Sequence, residues 1–352
     1  MFYDLLLLAI GLVVILIGAE LFTNGIEWFG RHLDLAEGAV GSVLAAVGTA
    51  LPETMIPIIA ILFGSAGSGE EIGVGAVLGA PFMLATLAMF VTGVAVLWRK
   101  RRTGSSTMSV DPGVLRHDLK YFAVAYGLAV AAAFLPPELG WARIIVAVVL
   151  IGIYAWYVKA HFEADPDVDA ADLAPLRFHR MDRAAHRDDP ARPRLRIVNV
   201  QVLVALGCIV GGAYAFVGSV GALASEFGLD EALLALIIAP IATELPEKFN
   251  SIIWIRQKKD TLAMGNITGA MVFQSAIPTV IALVFAGSAW HIAPGSYLAF
   301  ASAGIAFLSV FLLFGVAQRP TLDGKRLLLG GVLYVMYVVL VIYQLANPSG
   351  VG

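Results

Sequence analysis

The chain has 352 residues, of which 59% are apolar and 14% are charged, and its formal net charge is −3. A mean hydropathy of +0.84 is far above that of a soluble domain and predicts an integral membrane protein. About ten apolar runs of roughly 20 residues fit into this length, which excludes a soluble enzyme held by a single anchor. The one cysteine, Cys208, lies in an apolar run, which excludes a disulfide framework and a cysteine-ligated metal site.

Ten candidate membrane spans follow along the chain when apolar windows are read between polar breaks. They cover residues 4–29, 37–63, 72–97, 119–135, 141–161, 197–224, 231–255, 261–288, 294–317 and 326–345. The first span is too long for the apolar core of a signal peptide and lacks a basic leader, so we expect an uncleaved helix. The predicted fold class is an all-α membrane protein with ten transmembrane helices.

The basic residues indicate how the spans are oriented. Of the 23 lysines and arginines, 21 lie on or beside odd-numbered loops, and only Arg143 and Lys248 do not. Basic loops stay on the cytoplasmic side of a membrane. Both termini are therefore predicted to lie outside, and the location is predicted to be the plasma membrane, or the inner membrane of a bacterium.

The longest loop, residues 162–196, has an acidic half followed by a basic half. An EF-hand beginning at Asp165 needs glycine at its sixth position and glutamate at its twelfth, where this chain has Ala170 and Leu176. The loop is therefore predicted to be a solvated cytoplasmic connector, too short for a folded regulatory domain. It separates residues 1–161 from residues 197–352 within one membrane domain.

These two halves repeat each other. An offset of 194 residues aligns Gly18 with Gly212, and Thr-Ala-Leu-Pro-Glu at 49–53 with Thr-Glu-Leu-Pro-Glu at 243–247. Each half holds five predicted spans, an odd number, so the second half is inverted relative to the first. Inverted repeats that meet near the bilayer midplane are typical of secondary transporters.

The second and seventh spans each carry a glutamate directly after a proline, Glu53 and Glu247. Proline removes a backbone donor and frees the carbonyl oxygen four residues earlier, and a threonine hydroxyl lies one turn before each glutamate. Such oxygen sets suit hard cations, here Ca²⁺ or Na⁺. The predicted ion ligands of the two spans are Gly48, Thr49, Glu53, Ala242, Thr243 and Glu247, with the two glutamates as the metal ligands.

A simpler interpretation is a pair of proline kinks, with any buried glutamate paired to a basic group. Lys248 is the candidate for that pairing, and Glu244 lies four residues before it, although Pro246 between them makes the helical geometry uncertain. Glu244 therefore either pairs with Lys248 or lines the site. Two Pro-Glu pairs related by a repeat favour an ion site, because buried carboxylates in membranes are costly.

The motifs resemble those of the sodium/calcium exchanger superfamily. They are Gly48-Thr-Ala-Leu-Pro-Glu53 and Ala242-Thr-Glu-Leu-Pro-Glu247, each followed by a Gly-x-x-x-Gly helix start, Gly75 to Gly79 and Gly265-Asn-Ile-Thr-Gly269. The resemblance implies ten helices in two five-helix inverted-topology repeats that exchange Ca²⁺ for Na⁺ or for H⁺. It also implies that Glu53 and Glu247 are the central ion ligands.

The departures from the family pattern lie where ions bind. Ala50 and Glu244 stand where the family usually has serine. Leu84 and Gln274 stand where its third and eighth helices usually have asparagine or aspartate, so Gln274 is the side-chain candidate that is left. Glu244 adds a negative charge that Lys248, Na⁺ or a proton must balance. The chain is therefore predicted to be a divergent member.

The predicted function is secondary active cation antiport, with Ca²⁺ exported in exchange for Na⁺ by alternating access. Exchange for H⁺ is the alternative, favoured by the missing ligands and by Glu244; a transport-inactive scaffold or cation sensor is a third possibility. No nucleotide or nucleophile motif occurs, so no enzyme is expected. The expected partners are the transported cations and membrane lipid, with no cofactor, no nucleic acid and no obligate protein partner.

Overall fold

The computed structural model describes residues 2–33, 35, 39–50, 54, 61, 77, 79–163, 173–181, 193–227, 244–286, 290 and 297–346. Within these residues the chain is almost entirely helical, with one small two-stranded sheet. Three of the predicted site residues, Glu53, Ala242 and Thr243, lie outside the described residues.

The described residues of the first half form five α-helices with defined bounds, two of which continue directly from π-helical segments. The π-helical segments are Val40–Ala45 and Leu84–Ala88. The α-helices are α1 (Phe2–His32), α2 (Ala46–Thr49), α3 (Met89–Thr103), α4 (Pro112–Ala132) and α5 (Gly140–Phe162). A 3₁₀-helix, Pro137–Leu139, lies between α4 and α5.

The second half begins after the 3₁₀-helix Arg177–Met181. Its α-helices are α6 (Leu195–Phe227), α7 (Leu245–Arg256), α8 (Asp260–Phe285), α9 (Tyr297–Val316), α10 (Gly324–Leu327) and α11 (Leu329–Ala346). Strand β1 (Thr107–Ser109) pairs antiparallel with β2 (Thr321–Asp323). This pairing joins the connection between α3 and α4 in the first half to the connection between α9 and α10 in the second half.

Six of the described helices are long and apolar enough to cross a membrane. They span Tyr3–His32, Gly79–Arg101, Gly140–Phe162, Leu195–Gly212, Asp260–Phe285 and Gly324–Tyr343. Helical structure in the described residues also overlaps each of the ten predicted spans. The all-helical class is confirmed for the described residues, while ten crossings remain a prediction.

Helix α4 begins seven residues before the span predicted from hydropathy. Asp111 caps it by accepting a hydrogen bond from the backbone nitrogen of Gly113 at 2.6 Å, and Pro112 occupies the first turn. An aspartate cap followed by proline is a strong helix start. The charged first two turns therefore belong to the helix, which places Asp118 inside it.

Helices α1 and α6 cross closely because small residues face each other. A Cβ atom on Gly18 would lie 3.0 Å from the Cβ of Cys208, and one on Gly212 would lie 2.9 Å from the backbone oxygen of Gly11. Gly18 and Gly212 are the pair aligned by the repeat, so both halves contribute the same position to this contact. Small residues let membrane helices approach in this way.

Residues 174–176 of the 162–196 loop pack against these two helices, so the prediction of a solvated connector is wrong for this stretch, whereas Glu163 and Met181 of the same loop are exposed. Leu176 is fully buried beside Trp28 and Val198. The indole nitrogen of Trp28 donates to the backbone oxygen of Ala174 at 2.9 Å. Burial of the Leu176 side chain, together with this hydrogen bond, holds the stretch against the bundle.

Helix α8 lies at the centre of the described bundle and contacts α2, α4, α5 and α7. Its two glycines, Gly265 and Gly269, meet the π-helical segment at Ser42, and a Cβ atom on Gly269 would overlap the backbone oxygen of Ser42. Glycine at this crossing therefore allows α8 and the second predicted span to touch backbone to backbone.

Candidate functional site

One side chain of α8, Asn266, joins the two repeated motifs. The Thr49 hydroxyl lies 3.2 Å from the amide oxygen of Asn266 as a donor. The amide nitrogen of Asn266 donates to the backbone oxygen of Glu247 at 3.2 Å. All three residues are fully buried. A single amide therefore connects the motif of the first half with the motif of the second.

The local structure around Thr49 explains its orientation. Its hydroxyl also donates to the backbone oxygen of Ala45 one turn earlier, at 3.0 Å, a common bond for threonine inside a membrane helix. Gly48 is buried beside it, and a Cβ atom there would overlap the ring of Phe22 from α1. Glycine at position 48 thus brings α1 directly against the end of α2.

Glu247 carries a buried carboxylate that the described protein leaves unsatisfied. Its side chain is fully buried, and neither carboxylate oxygen has a hydrogen-bond partner among the described residues. The hydrogen bonds of the nearby Thr49 hydroxyl go to the backbone oxygen of Ala45 and to the amide oxygen of Asn266. An uncompensated buried carboxylate is costly, so this position favours an added positive charge.

The donor set here consists of oxygen atoms, as a hard cation requires. They are the carboxylate oxygens of Glu247, which are buried without hydrogen-bond partners among the described residues, and the Thr49 hydroxyl, which lies 3.2 Å from the Asn266 amide that bonds the Glu247 backbone. Such ligands fit Ca²⁺ or Na⁺. Within the described part of the chain, no group of three or more His, Cys, Asp or Glu side chains is placed to hold a metal ion. The repeat mate of Glu247, Glu53, lies outside that part.

Glu244 and Lys248 form an ion pair, which answers the question that the sequence left open. The Lys248 ammonium bonds a carboxylate oxygen of Glu244, and the two side chains are 7% and 4% exposed. Pro246 does not prevent the pair because it lies in the first turn of α7, where a helix needs no backbone donor. The buried charge of Glu244 is therefore matched by the protein itself.

Gln274 is buried on α8 but lies away from the link made by Asn266. It follows Asn266 by eight residues, which is about 12 Å along a helix axis. In the third span, Leu84 is fully buried within a hydrophobic cluster. The position where the family usually has an amide or carboxylate in the first half is thus occupied by a packed apolar side chain.

Sequence reasoning missed Asn266 as a functional residue, although it lies inside the quoted glycine motif. The available signal was an asparagine between two glycines in a span otherwise rich in apolar residues. A polar side chain next to glycine in a membrane helix lies where backbones approach closely, and such a side chain must find a partner there.

A second buried polar cluster surrounds Asp118 of α4. Its carboxylate accepts hydrogen bonds from the hydroxyls of Ser42 at 2.7 Å, Tyr157 at 3.0 Å, and Thr268. The Nε2 atom of His161 lies 3.1 Å from the same carboxylate. These contacts join α4, α5 and α8 to the π-helical segment that leads into α2. Asp118 was hidden from sequence reasoning because it precedes the hydropathy window of its span.

Comparison with known proteins agrees with this architecture. The candidate antiporter CaxA of Alkalimonas amylolytica is 25% identical over 286 residues, covering 81% of this chain and 80% of that protein. A solved structure of the sodium-calcium exchanger NCX_Mj, soaked without Na⁺ and Ca²⁺, has a TM-score of 0.70 at 17% identity and covers 96% of this chain and 98% of that chain. The H⁺/Ca²⁺ exchanger CAX has a TM-score of 0.70 at 18% identity, covering 99% of this chain and 82% of that chain.

Because the two solved structures are only 17% and 18% identical to this chain, the comparison with them shows that the fold is shared. The family model described as sodium/calcium exchanger protein matches residues 3–161 and 198–346, which are the two halves related by the internal repeat. Together with the apolar helices, this match identifies a membrane protein. Because both repeats match, the chain belongs to the sodium/calcium exchanger protein family.

Proposed function

We propose that this chain is a secondary active cation antiporter that exports Ca²⁺ in exchange for Na⁺ by alternating access. The observation that carries this proposal is Glu247, a fully buried carboxylate with no hydrogen-bond partner among the described residues, at the point where Asn266 joins the two motifs. A buried charge in a membrane protein marks an ion pathway when the protein itself does not neutralise it. Family membership supports the same class of function.

The ligand set follows from the repeat and from the described geometry together. Thr49 and Glu247 are supported by their positions on either side of Asn266. Glu53 enters as the repeat mate of Glu247, at the offset of 194 residues. The proposed Ca²⁺ ligands are the carboxylates of Glu53 and Glu247, and the assisting oxygens are those of Gly48, Thr49, Ala242 and Thr243. Gln274 enters from the family pattern alone, because it lies about 12 Å along α8 from Asn266.

The close crossing of α1 and α6 supplies a means of alternating access. The ring of Phe22 on α1 lies against Gly48, beside Thr49. A shift of α1 along the bundle would carry this ring across the end of α2 and change which side of the site is covered. Gly18 and Gly212 keep bulky side chains out of the crossing with α6, so α1 and α6 lie close enough to move together.

The proposed topology has ten crossings, five in residues 1–161 and five in residues 197–352, with the 162–196 loop in the cytoplasm and both termini outside. The distribution of basic residues supports this orientation. It is tested with single cysteines in a Cys208→Ala background. Ser105→Cys is expected to react with an impermeant thiol reagent only from the cytoplasmic side, and Glu138→Cys only from outside. The opposite pattern would reverse the orientation.

Radioactive Ca²⁺ uptake into proteoliposomes tests the transport proposal. Uptake is expected under an outward Na⁺ gradient and is expected to be abolished in both Glu53→Gln and Glu247→Gln. Glu163→Gln is the matched control, because the same chemical change falls on a side chain that is 68% exposed. Full transport by either neutral site variant would contradict the proposal.

Exchange for H⁺ is the second candidate, and one observation favours it. Buried Leu84 leaves this position of the third span without the side-chain oxygen expected for an added Na⁺ ligand. The fold itself does not distinguish the two candidates, since the TM-score is 0.70 for both CAX and NCX_Mj. Uptake driven only by an outward H⁺ gradient would select this candidate. Ca²⁺ binding without uptake under either gradient would select a scaffold or cation sensor.

A further inference from the structure

The ion pair beside Glu247 sets the charge of the site. Glu244, Glu247 and Lys248 lie in the first turn of α7 or directly before it, and all three are buried. Residues three apart share a helix face, so Glu244 and Glu247 are neighbours. Lys248 follows Glu247 directly in the same buried turn, so the charges of both Glu244 and Lys248 act on the Glu247 carboxylate at short range. The pair is therefore part of the electrostatic environment in which a transported ion would bind.

The two carboxylates are in opposite situations. Glu244 has a cation bonded to it by the chain itself, whereas both oxygens of Glu247 lack hydrogen-bond partners among the described residues. A tethered ammonium cannot leave during a transport cycle, because its backbone is part of the α7 helix. A free ion that neutralised Glu244 would instead be exchanged with the solution.

We infer that the Lys248 ammonium is a fixed counter-ion of the transport site. Throughout the cycle it occupies the place that a monovalent cation would otherwise take at Glu244. This inference rests on the proposed antiport function. With Glu244 neutralised, the exchangeable negative charges are those of Glu53 and Glu247. One Ca²⁺ or two monovalent cations balance these charges, so the exchange is electroneutral, with two monovalent cations moved for each Ca²⁺.

The first arm of the test measures whether transport moves net charge. Ca²⁺ uptake into proteoliposomes is recorded while a K⁺ gradient with valinomycin imposes a membrane potential of either sign. The wild-type rate is expected to be the same at both potentials. A rate that changes with the potential would overturn the inference while leaving the antiport function in place; absence of uptake under every gradient would instead contradict the antiport function.

A series of variants changes the charge of the pair in steps. Lys248→Gln leaves Glu244 without its counter-ion, so uptake is expected to become voltage-dependent through one more monovalent cation per cycle. Glu244→Gln leaves the ammonium unmatched beside Glu247, so Ca²⁺ affinity is expected to fall by about tenfold or more. The double variant Glu244→Gln/Lys248→Gln restores the balance and is expected to be voltage-independent again. Voltage-independent uptake by Lys248→Gln would overturn the inference.

A binding measurement extends the test to a protein that does not transport. Equilibrium Ca²⁺ binding to the full chain in detergent is expected to weaken in Glu244→Gln and to return to near the wild-type value in the double variant, in which positions 244 and 248 are both neutral. Equal affinities in all three proteins would mean that the pair is structural only. The control is Glu27→Gln/Lys259→Gln, because Lys259 and Glu27 form another largely buried pair, 2.7 Å apart, with side chains 18% and 4% exposed. That variant is expected to leave Ca²⁺ affinity and coupling unchanged.

Discussion

The Thr49 hydroxyl and the Asn266 amide oxygen lie 3.2 Å apart in the fully buried centre of the bundle, although 217 positions separate the two residues in the chain. The same amide donates to the backbone of Glu247. Because Asn266 uses both ends of its amide, it holds the two repeated motifs at a set distance. The carboxylate that we propose as a Ca²⁺ ligand is thereby positioned by a residue that is not proposed as a ligand.

Replacing Asn266 with alanine is expected to weaken Ca²⁺ binding and to destabilise the protein by about 1–3 kcal/mol. The reason is that the variant removes both hydrogen bonds and leaves the Glu247 backbone oxygen without this buried donor. Ca²⁺ titration and thermal unfolding in detergent measure the two effects. Asn199→Ala is the control because Asn199 is exposed on α6. Unchanged binding in Asn266→Ala would contradict the bridging role.

Gly269→Ala is expected to prevent the close crossing of α8 with the segment that leads into α2. A Cβ atom at position 269 would overlap the backbone oxygen of Ser42, and a backbone atom cannot rotate away as a flexible side chain can. The yield of folded protein, measured by size-exclusion chromatography in detergent, should fall sharply. Gly304→Ala is the matched control, since a Cβ atom on Gly304 meets nothing within 4 Å. Equal yields from both variants would argue against this crossing.

Asp118→Asn is expected to lower the free energy of unfolding by about 1–3 kcal/mol, because the amide nitrogen cannot accept the hydrogen bonds that one carboxylate oxygen now accepts. Chemical or thermal unfolding in detergent provides the measurement. Asp323→Asn makes the same exchange at a partly exposed helix cap, where asparagine serves as well as aspartate, and should be neutral. A neutral effect at both positions would show that the Asp118 cluster adds no net stability.

Arg99→Lys is expected to destabilise the protein although the charge is retained. The Arg99 guanidinium bonds both carboxylate oxygens of Asp260, at 2.6 and 3.0 Å, and also the backbone oxygen of Ile255 at 2.8 Å. Lysine lacks the planar fork needed for this arrangement. A loss of about 1.5–3 kcal/mol is expected from unfolding measurements.

The control for Arg99 is Arg177→Lys. Arg177 pairs with Glu20 at 2.9 Å, but these side chains are 51% and 54% exposed, so their pair contributes little. The same substitution should therefore have almost no effect there. Similar losses at the two positions would mean that burial and two-oxygen bonding at Arg99 are not the cause.

Hydropathy and the internal repeat predicted much of the architecture. Described helices overlap every predicted span, and the family match covers both halves related by the offset of 194 residues. These features are properties of local sequence, because a membrane helix must satisfy its backbone hydrogen bonds internally and bury about 20 apolar residues. The Pro-Glu motifs likewise marked Glu247 as a candidate, and that side chain is buried without a hydrogen-bond partner among the described residues.

The partners of buried polar groups were determined only by the tertiary structure. Lys248 and Glu244 were visible as a possible pair, but the position at which α7 begins relative to Pro246 decided that they bond. Asn266 and Asp118 gave no comparable signal, because their partners lie on other helices, far away along the chain. The types of residue and the spacing of apolar residues along the chain determine which segments become helices. Which polar atoms meet depends on how the faces of different helices pack together, and no local sequence pattern contains that information.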